Sequence, residues 1–128
     1  MDYYSGGFDV KLLDLKELMK HSATKPDQQT IERVIDEKDK ATKLQAVFTI
    51  IPPGAAGSKL HYHTQRESWI LVLSGEGKEI VDGKEYPVKA NDSIFILPNE
   101  KHKMENIGKT ELKYLELYTL PSDFIAAE

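Results

Sequence analysis

KLHYHTQRESWILVLSGEG, residues 59–77, sets two histidines one position apart in a strand-like run. Side chains along a strand alternate between its faces, so His61 and His63 share a face and lie a few ångströms apart. The run resumes at Ser68 to Leu73 and stops at Ser74-Gly75-Glu76-Gly77, a turn signal. Two strands joined by a bend follow, the first presenting a pair of imidazoles. Neutral imidazole is a ligand for Zn, Cu, Fe and Ni, and a third group from elsewhere would complete a site with open positions. His102 is the candidate, since it follows the turn residues Pro98-Asn99 in another short strand.

Outward from this stretch the texture stays strand-like. Ile31 to Ile35 and Leu44 to Ile51 flank the charged Asp36 to Lys40 as a hairpin, and Pro52-Pro53-Gly54 ends the second strand. Lys78 to Val81 and Lys84 to Val88 pair across Asp82-Gly83, a strong two-residue hairpin signal. Ile94 to Leu97, Lys101 to Glu105 and Leu112 to Tyr118 bring the total to about eight strands, the pattern of an all-β sandwich or barrel. Before residue 30 the pattern changes. A flexible Ser5-Gly6-Gly7 precedes a predicted strand from Phe8 to Leu13, and Leu12, Leu15, Leu18 and Met19 have helical spacing. His21 to Gln29 is a polar surface connection, with His21 solvated. The expected organisation is therefore a lead-in, residues 1–29, packing on the barrel or on a dimer partner, and one β-barrel domain, residues 30–128.

The chain has 128 residues, 40% of them hydrophobic, enough for one core and too few for two domains. Its net charge of −4 is spread with both signs mixed, which argues against a nucleic-acid partner. No run approaches the roughly 18 apolar residues of a membrane helix. MDYYSGGFDV lacks the regions of a signal peptide, so a soluble cytoplasmic protein is expected and the sequon Asn91-Asp92-Ser93 carries no sugar. With no cysteine, any metal must be held by histidine nitrogen or carboxylate oxygen.

KLHYHTQRESWILVLSGEG and ANDSIFILPNEKHKMEN (residues 90–106) together resemble the two signature motifs of the cupin superfamily. Gly54, His61, His63 and Gly75 fit the frame of the first; Asn91-Asp92, Pro98-Asn99, His102 and Asn106 fit that of the second. The resemblance implies a double-stranded β-helix, the jelly-roll barrel of cupins. It also implies a divalent transition metal (Fe, Mn, Ni or Zn) held by His61, His63, His102 and a carboxylate. Two positions depart from the pattern. Counting back from Gly75, the family's Glu falls on Ser68, whereas Glu67 sits one residue early. Neighbouring strand residues face opposite ways, so Glu67 reaches the metal only if a bulge or the bend shifts the register. Otherwise the site is three histidines plus water, or borrows Gln65. Asn99 stands where the family prefers Gly, a benign exchange because Asn tolerates a left-handed turn. Residues 91–117 also resemble the cupin domain of type II mannose-6-phosphate isomerases, a likeness of fold that fixes no activity.

The reading that follows is a metal-dependent enzyme of dioxygenase or isomerase type acting on a small oxygen-rich substrate. Its rival is a non-catalytic module that binds or senses a carbohydrate-like or acidic ligand; a storage role is supported poorly by so short a chain. Both faces of Ser68 to Leu73 are apolar, so one needs a cover. The lead-in is one candidate, and a two-fold homodimer, which small cupins of this kind often form, is favoured. Arg66, Lys101 and Lys103 read as solvated charges that could otherwise attract an anion, and Tyr114, Tyr118 and Phe95 as packing residues.

Overall fold

The structure, a computed structural model, describes residues 10–128. Ser5-Gly6-Gly7 and the first two residues of the expected strand from Phe8 lie outside the described residues. Among the described residues, ten strands form two antiparallel five-stranded sheets, as expected of a double-stranded β-helix. The first sheet has the order β1 (Thr30–Ile35), β2 (Leu44–Ile51), β9 (Leu112–Thr119), β4 (Ser68–Ser74), β7 (Ser93–Ile96). The second runs β10 (Ile125–Ala126), β3 (His61–Tyr62), β8 (His102–Asn106), β5 (Glu76–Val81), β6 (Lys84–Lys89). Strands that neighbour in space come from distant parts of the chain, which is the jelly-roll solution to burying one face of each sheet.

Local chemistry explains the corners. Asp82 and Gly83 both have positive φ, 48° and 84°, the geometry of the tight turn whose twist matches the flanking strands. Gly75 sits at φ 89° where a Cβ would come within 2.5 Å of the Glu111 carbonyl, so glycine is required between β4 and β5. Asn99 takes φ 70°, the left-handed conformation expected of it. The charged Asp36 to Lys40 segment folds into a single 3-10 turn, Glu37–Asp39, closed by a reciprocal pair of side-chain bonds between Asp36 and Asp39.

Alternation along the strands sorts residues into two cores. Ile51, Ile70, Val72, Val81, Val88, Ile96, Met104, Leu112 and Tyr114 pack between the sheets. Leu18, Val34, Phe48, Ile50 and Leu115 form a second cluster on the outer face of the first sheet. Leu18 belongs to α1 (Leu15–Leu18), a single helical turn whose N-cap Asp14 accepts from the Lys16 and Glu17 amides. The lead-in thus supplies a fully buried leucine to the barrel's outer surface. Of the strand expected from Phe8 to Leu13, residues 10–13 run without strand pairing. Their amphipathic spacing serves instead to lay Leu13 against the second cluster, while Lys11 reaches the Val34 carbonyl and Asp39. His21 is half-buried rather than solvated, its Nδ1 lying 2.9 Å from both oxygens of Glu32.

Candidate metal centre

His61 and His102 face each other as register partners of β3 and β8, and His63 follows two residues after His61 on the same face. All three are buried. One ligand nitrogen from each lies within 4.8 Å of the other two. What aims the rings is visible at their other nitrogens. His61 Nδ1 lies 2.6 Å from the Lys59 carbonyl oxygen, and His63 Nδ1 bonds the Asp123 carbonyl oxygen. A carbonyl has no proton to give, so each Nδ1 must be the donor, which leaves Nε2 of both rings with a free lone pair. His102 Nδ1 lies 3.0 Å from Oε1 of Glu79 on β5. Nε2 of His63 and of His102 are buried with no hydrogen-bond partner, an arrangement that is costly unless something occupies the space they face.

That space is a cavity of about 240 Å³ at one mouth of the barrel, lined by the three histidines together with Arg66, Glu79 and Glu116. Burial depresses all three imidazoles below their ordinary value, His63 to about 4 even though the Asp123 carbonyl opposes the shift. Burial pushes the Glu79 carboxyl well above the usual range. The imidazoles are therefore neutral at neutral pH, the form in which histidine ligates a cation.

Glu67 is not brought to this group. The register of β4 against β9 is regular from Ser68 to Val72, and its one irregularity falls between Val72 and Ser74. With no shift at the start of β4, Ser68 points inward and is buried, while Glu67 is exposed and its backbone pairs with Thr119. Gln65 is likewise exposed. The side chain that enters instead is Arg66, which sequence reasoning leaves in solvent. Its Nε donates to Ser68 Oγ at 2.8 Å, its terminal nitrogens bond Ser122 and Glu116, and its guanidinium lies 3.7 Å from the centre of the Tyr118 ring. Tyr114 and Tyr118 line the cavity, whereas Phe95 stands exposed on the outer face. Lys101 is exposed, and Lys103 pairs with Glu105 on the surface.

The C-terminal strand completes the mouth. β10 pairs with β3, the Asp123 carboxylate takes the Thr64 amide and hydroxyl, and Phe124 stacks on His61 with ring centres 4.3 Å apart. A two-residue strand has no readable periodicity, so nothing in the sequence signals this contribution.

A family model described as the cupin domain matches residues 47–118, more than half of the chain. The chain belongs to the cupin family. Among relatives of this cupin, the oxalate-binding protein of Thermotoga maritima is 37% identical over 70 residues, 55% of this chain and 57% of that protein. The mannose-1-phosphate guanylyltransferase of Klebsiella pneumoniae is 36% identical over 70 residues, again 55% of this chain but 14% of the enzyme. The match thus spans little more than half of the first relative and a small part of the second. Among solved structures, a Thermotoga maritima protein described as a predicted oxalate decarboxylase superposes with a TM-score of 0.67 at 29% identity, covering 72% of this chain and 80% of that one.

Proposed function

We propose that this cupin holds a divalent transition metal through His61, His63 and His102 and acts on a small, oxygen-rich, acidic ligand with dioxygenase- or isomerase-type chemistry. The observation that carries the proposal is the trio of imidazoles with Nδ1 engaged on all three and two buried Nε2 atoms unpartnered. Bound there, the ion would act as a Lewis acid that polarises a ligand oxygen. The protein's part is positional. β3 and β8 set the imidazoles, the bonds to Lys59, Asp123 and Glu79 fix their planes, and Phe124 screens the mouth.

Ligand charge follows from the donor set. Three neutral imidazoles leave the ion's two positive charges uncompensated, and Ser68 supplies none at the inward start of β4. An anionic oxygen ligand suits such a site better than a neutral one, and Arg66, fixed in the same cavity, adds to the attraction. The volume suits a small ligand rather than a large one.

A non-catalytic binding role is the second reading, favoured by the likeness to the oxalate-binding protein. Titration of the metal-loaded protein with oxalate by calorimetry, followed by product analysis under air with oxalate and with a sugar phosphate, separates the two. Turnover of either supports the enzyme; saturable binding without turnover supports the module; no binding of either contradicts the acidic-ligand reading.

The same proposal includes a cytoplasmic homodimer of small-molecule function. On the outer face of the first sheet, Trp69 and Phe95 are cross-strand partners, 48% and 53% exposed. Exposed aromatic neighbours of this kind suit a two-fold interface. Sedimentation at micromolar concentration checks it, and a monomer contradicts it. Among the described residues no helix is long and apolar enough to cross a membrane.

A further inference from the structure

The three histidines are anchored unequally. Backbone carbonyls hold His61 and His63, whereas His102 is held by a side chain, Glu79. Glu79 is 1% exposed, and its second oxygen, Oε2, is buried with no hydrogen-bond partner. Its inward neighbours along β5 are Gly77 and Val81, and the residue beside it on β8 is Met104, so its neighbours within the sheet are apolar. An ionised carboxylate in such a place is costly unless positive charge compensates it. Arg66, in the same cavity, is bonded to Glu116, Ser68 and Ser122, and among the described residues the one basic group that Glu79 bonds is His102.

We propose that Glu79 is the positioning residue of the metal centre. With a cation bound to offset the cost of burying its charge, it is ionised, takes the Nδ1–H of His102, aims Nε2 at the site, and supplies through the imidazole the negative charge that the three-histidine set lacks. The inference rests on the metal reading above. With a cation on Nε2, the His102 proton must reside on Nδ1, and positive charge drawn onto the ring strengthens its bond to the carboxylate. The carboxylate-imidazole-metal arrangement then accounts for an otherwise unexplained buried acid. It also explains how a site with Ser68 at the inward start of β4 retains one anionic group: the carboxylate acts from behind the ligand rather than as a ligand.

The test compares the full-length protein with Glu79→Gln and Glu79→Leu. Cobalt(II) affinity is read by competition with a chromophoric chelator, and the His102 ring nitrogens by 15N NMR of the metal-free proteins. Glu79→Leu, nearly isosteric and apolar, should stay folded and lose about 10- to 100-fold in affinity. Glu79→Gln keeps an acceptor for Nδ1–H without the charge. It should retain the His102 Nδ1 proton in the NMR spectrum and recover part of the affinity. Unchanged cobalt affinity in Glu79→Leu, or His102 nitrogen shifts identical in all three proteins, overturns the assignment. If the wild type takes up no metal while the His102 shifts respond to Glu79→Leu and are rescued by Glu79→Gln, the metal reading fails and the hydrogen-bonding role stands alone. A Glu79→Leu protein that is unfolded by circular dichroism leaves the decision to Glu79→Gln, for which affinity equal to that of the wild type contradicts the charge argument.

Discussion

Two portions of one barrel interior differ sharply in chemistry. Along β9 the inward side chains run Leu112, Tyr114, Glu116, Tyr118, so one strand passes from a dry core into a polar cavity within a few residues. β4 does the same from Val72 through Ile70 to Ser68. Around Leu112 the sheets close on aliphatic side chains, each of which contributes about 1.5–3 kcal/mol by leaving water. Around His102 the same sheets enclose three imidazoles, two carboxyl groups and a guanidinium. Such groups cost free energy to bury unless they find partners, and here they are linked in pairs, His102 with Glu79 and Arg66 with Glu116. The difference teaches where stability and chemistry reside: the apolar portion holds the barrel shut so that the polar portion can keep unpartnered nitrogens aimed inward.

The largest expected effect lies in the dry portion. Leu112→Ala removes a fully buried side chain and should destabilise the protein by about 2–5 kcal/mol in chemical denaturation. Comparable loss from truncating a residue of the polar portion in the metal-free protein would erase the contrast.

Next in size is a pH effect confined to the polar portion. His63 has a folded pKa of about 4 against 6.5 for the free side chain. The unfolded chain therefore binds the proton first, and the His63 contribution, full above pH 6.5, is lost as pH falls to 4, a difference of roughly 3 kcal/mol. Glu79 has the opposite sign: its raised folded pKa adds stability as pH falls toward its ordinary 4.5. Denaturation curves of wild type and His63→Gln, both free of metal, isolate the first effect. A stability difference between them that does not change from pH 7 to pH 4 would contradict the assignment.

Smallest is Phe124→Ala. The ring stacks on His61 yet is more than half exposed, so its loss should cost about 1 kcal/mol and loosen metal binding only modestly. A collapse of the fold would mean that the C-terminal strand belongs to the core rather than to the rim.

Much of this contrast is legible in the amino-acid pattern. Strand alternation puts His61 and His63 on one face, Asp82-Gly83 gives the hairpin, and the spacing around Pro98-Asn99 brings His102 to the first pair. The strands from Thr30 onward lie close to where periodicity places them. Other parts are silent for physical reasons. Glu79 sits in Lys78-Glu79-Ile80, where alternation alone does not say whether the inward face holds the acid or the isoleucine. Arg66 follows two bend residues, where the period of two lapses, so its inward turn depends on Ser68, Glu116 and Tyr118 coming from other strands. Glu67 reaches the site only with a register shift at the start of β4, and the shift occurs at the strand's far end. The lead-in strand fails because residues 10–13 pair with no strand and are held by side-chain contacts instead.

The central claim is that the polar portion is a metal centre. Elemental analysis of untagged protein, purified without chelator, beside a folded His61→Ala, His63→Ala double variant, tests it most directly. The parent should carry close to one divalent transition metal per chain and the variant none. A parent that is metal-free and cannot be loaded with Fe, Mn, Ni or Zn would contradict it.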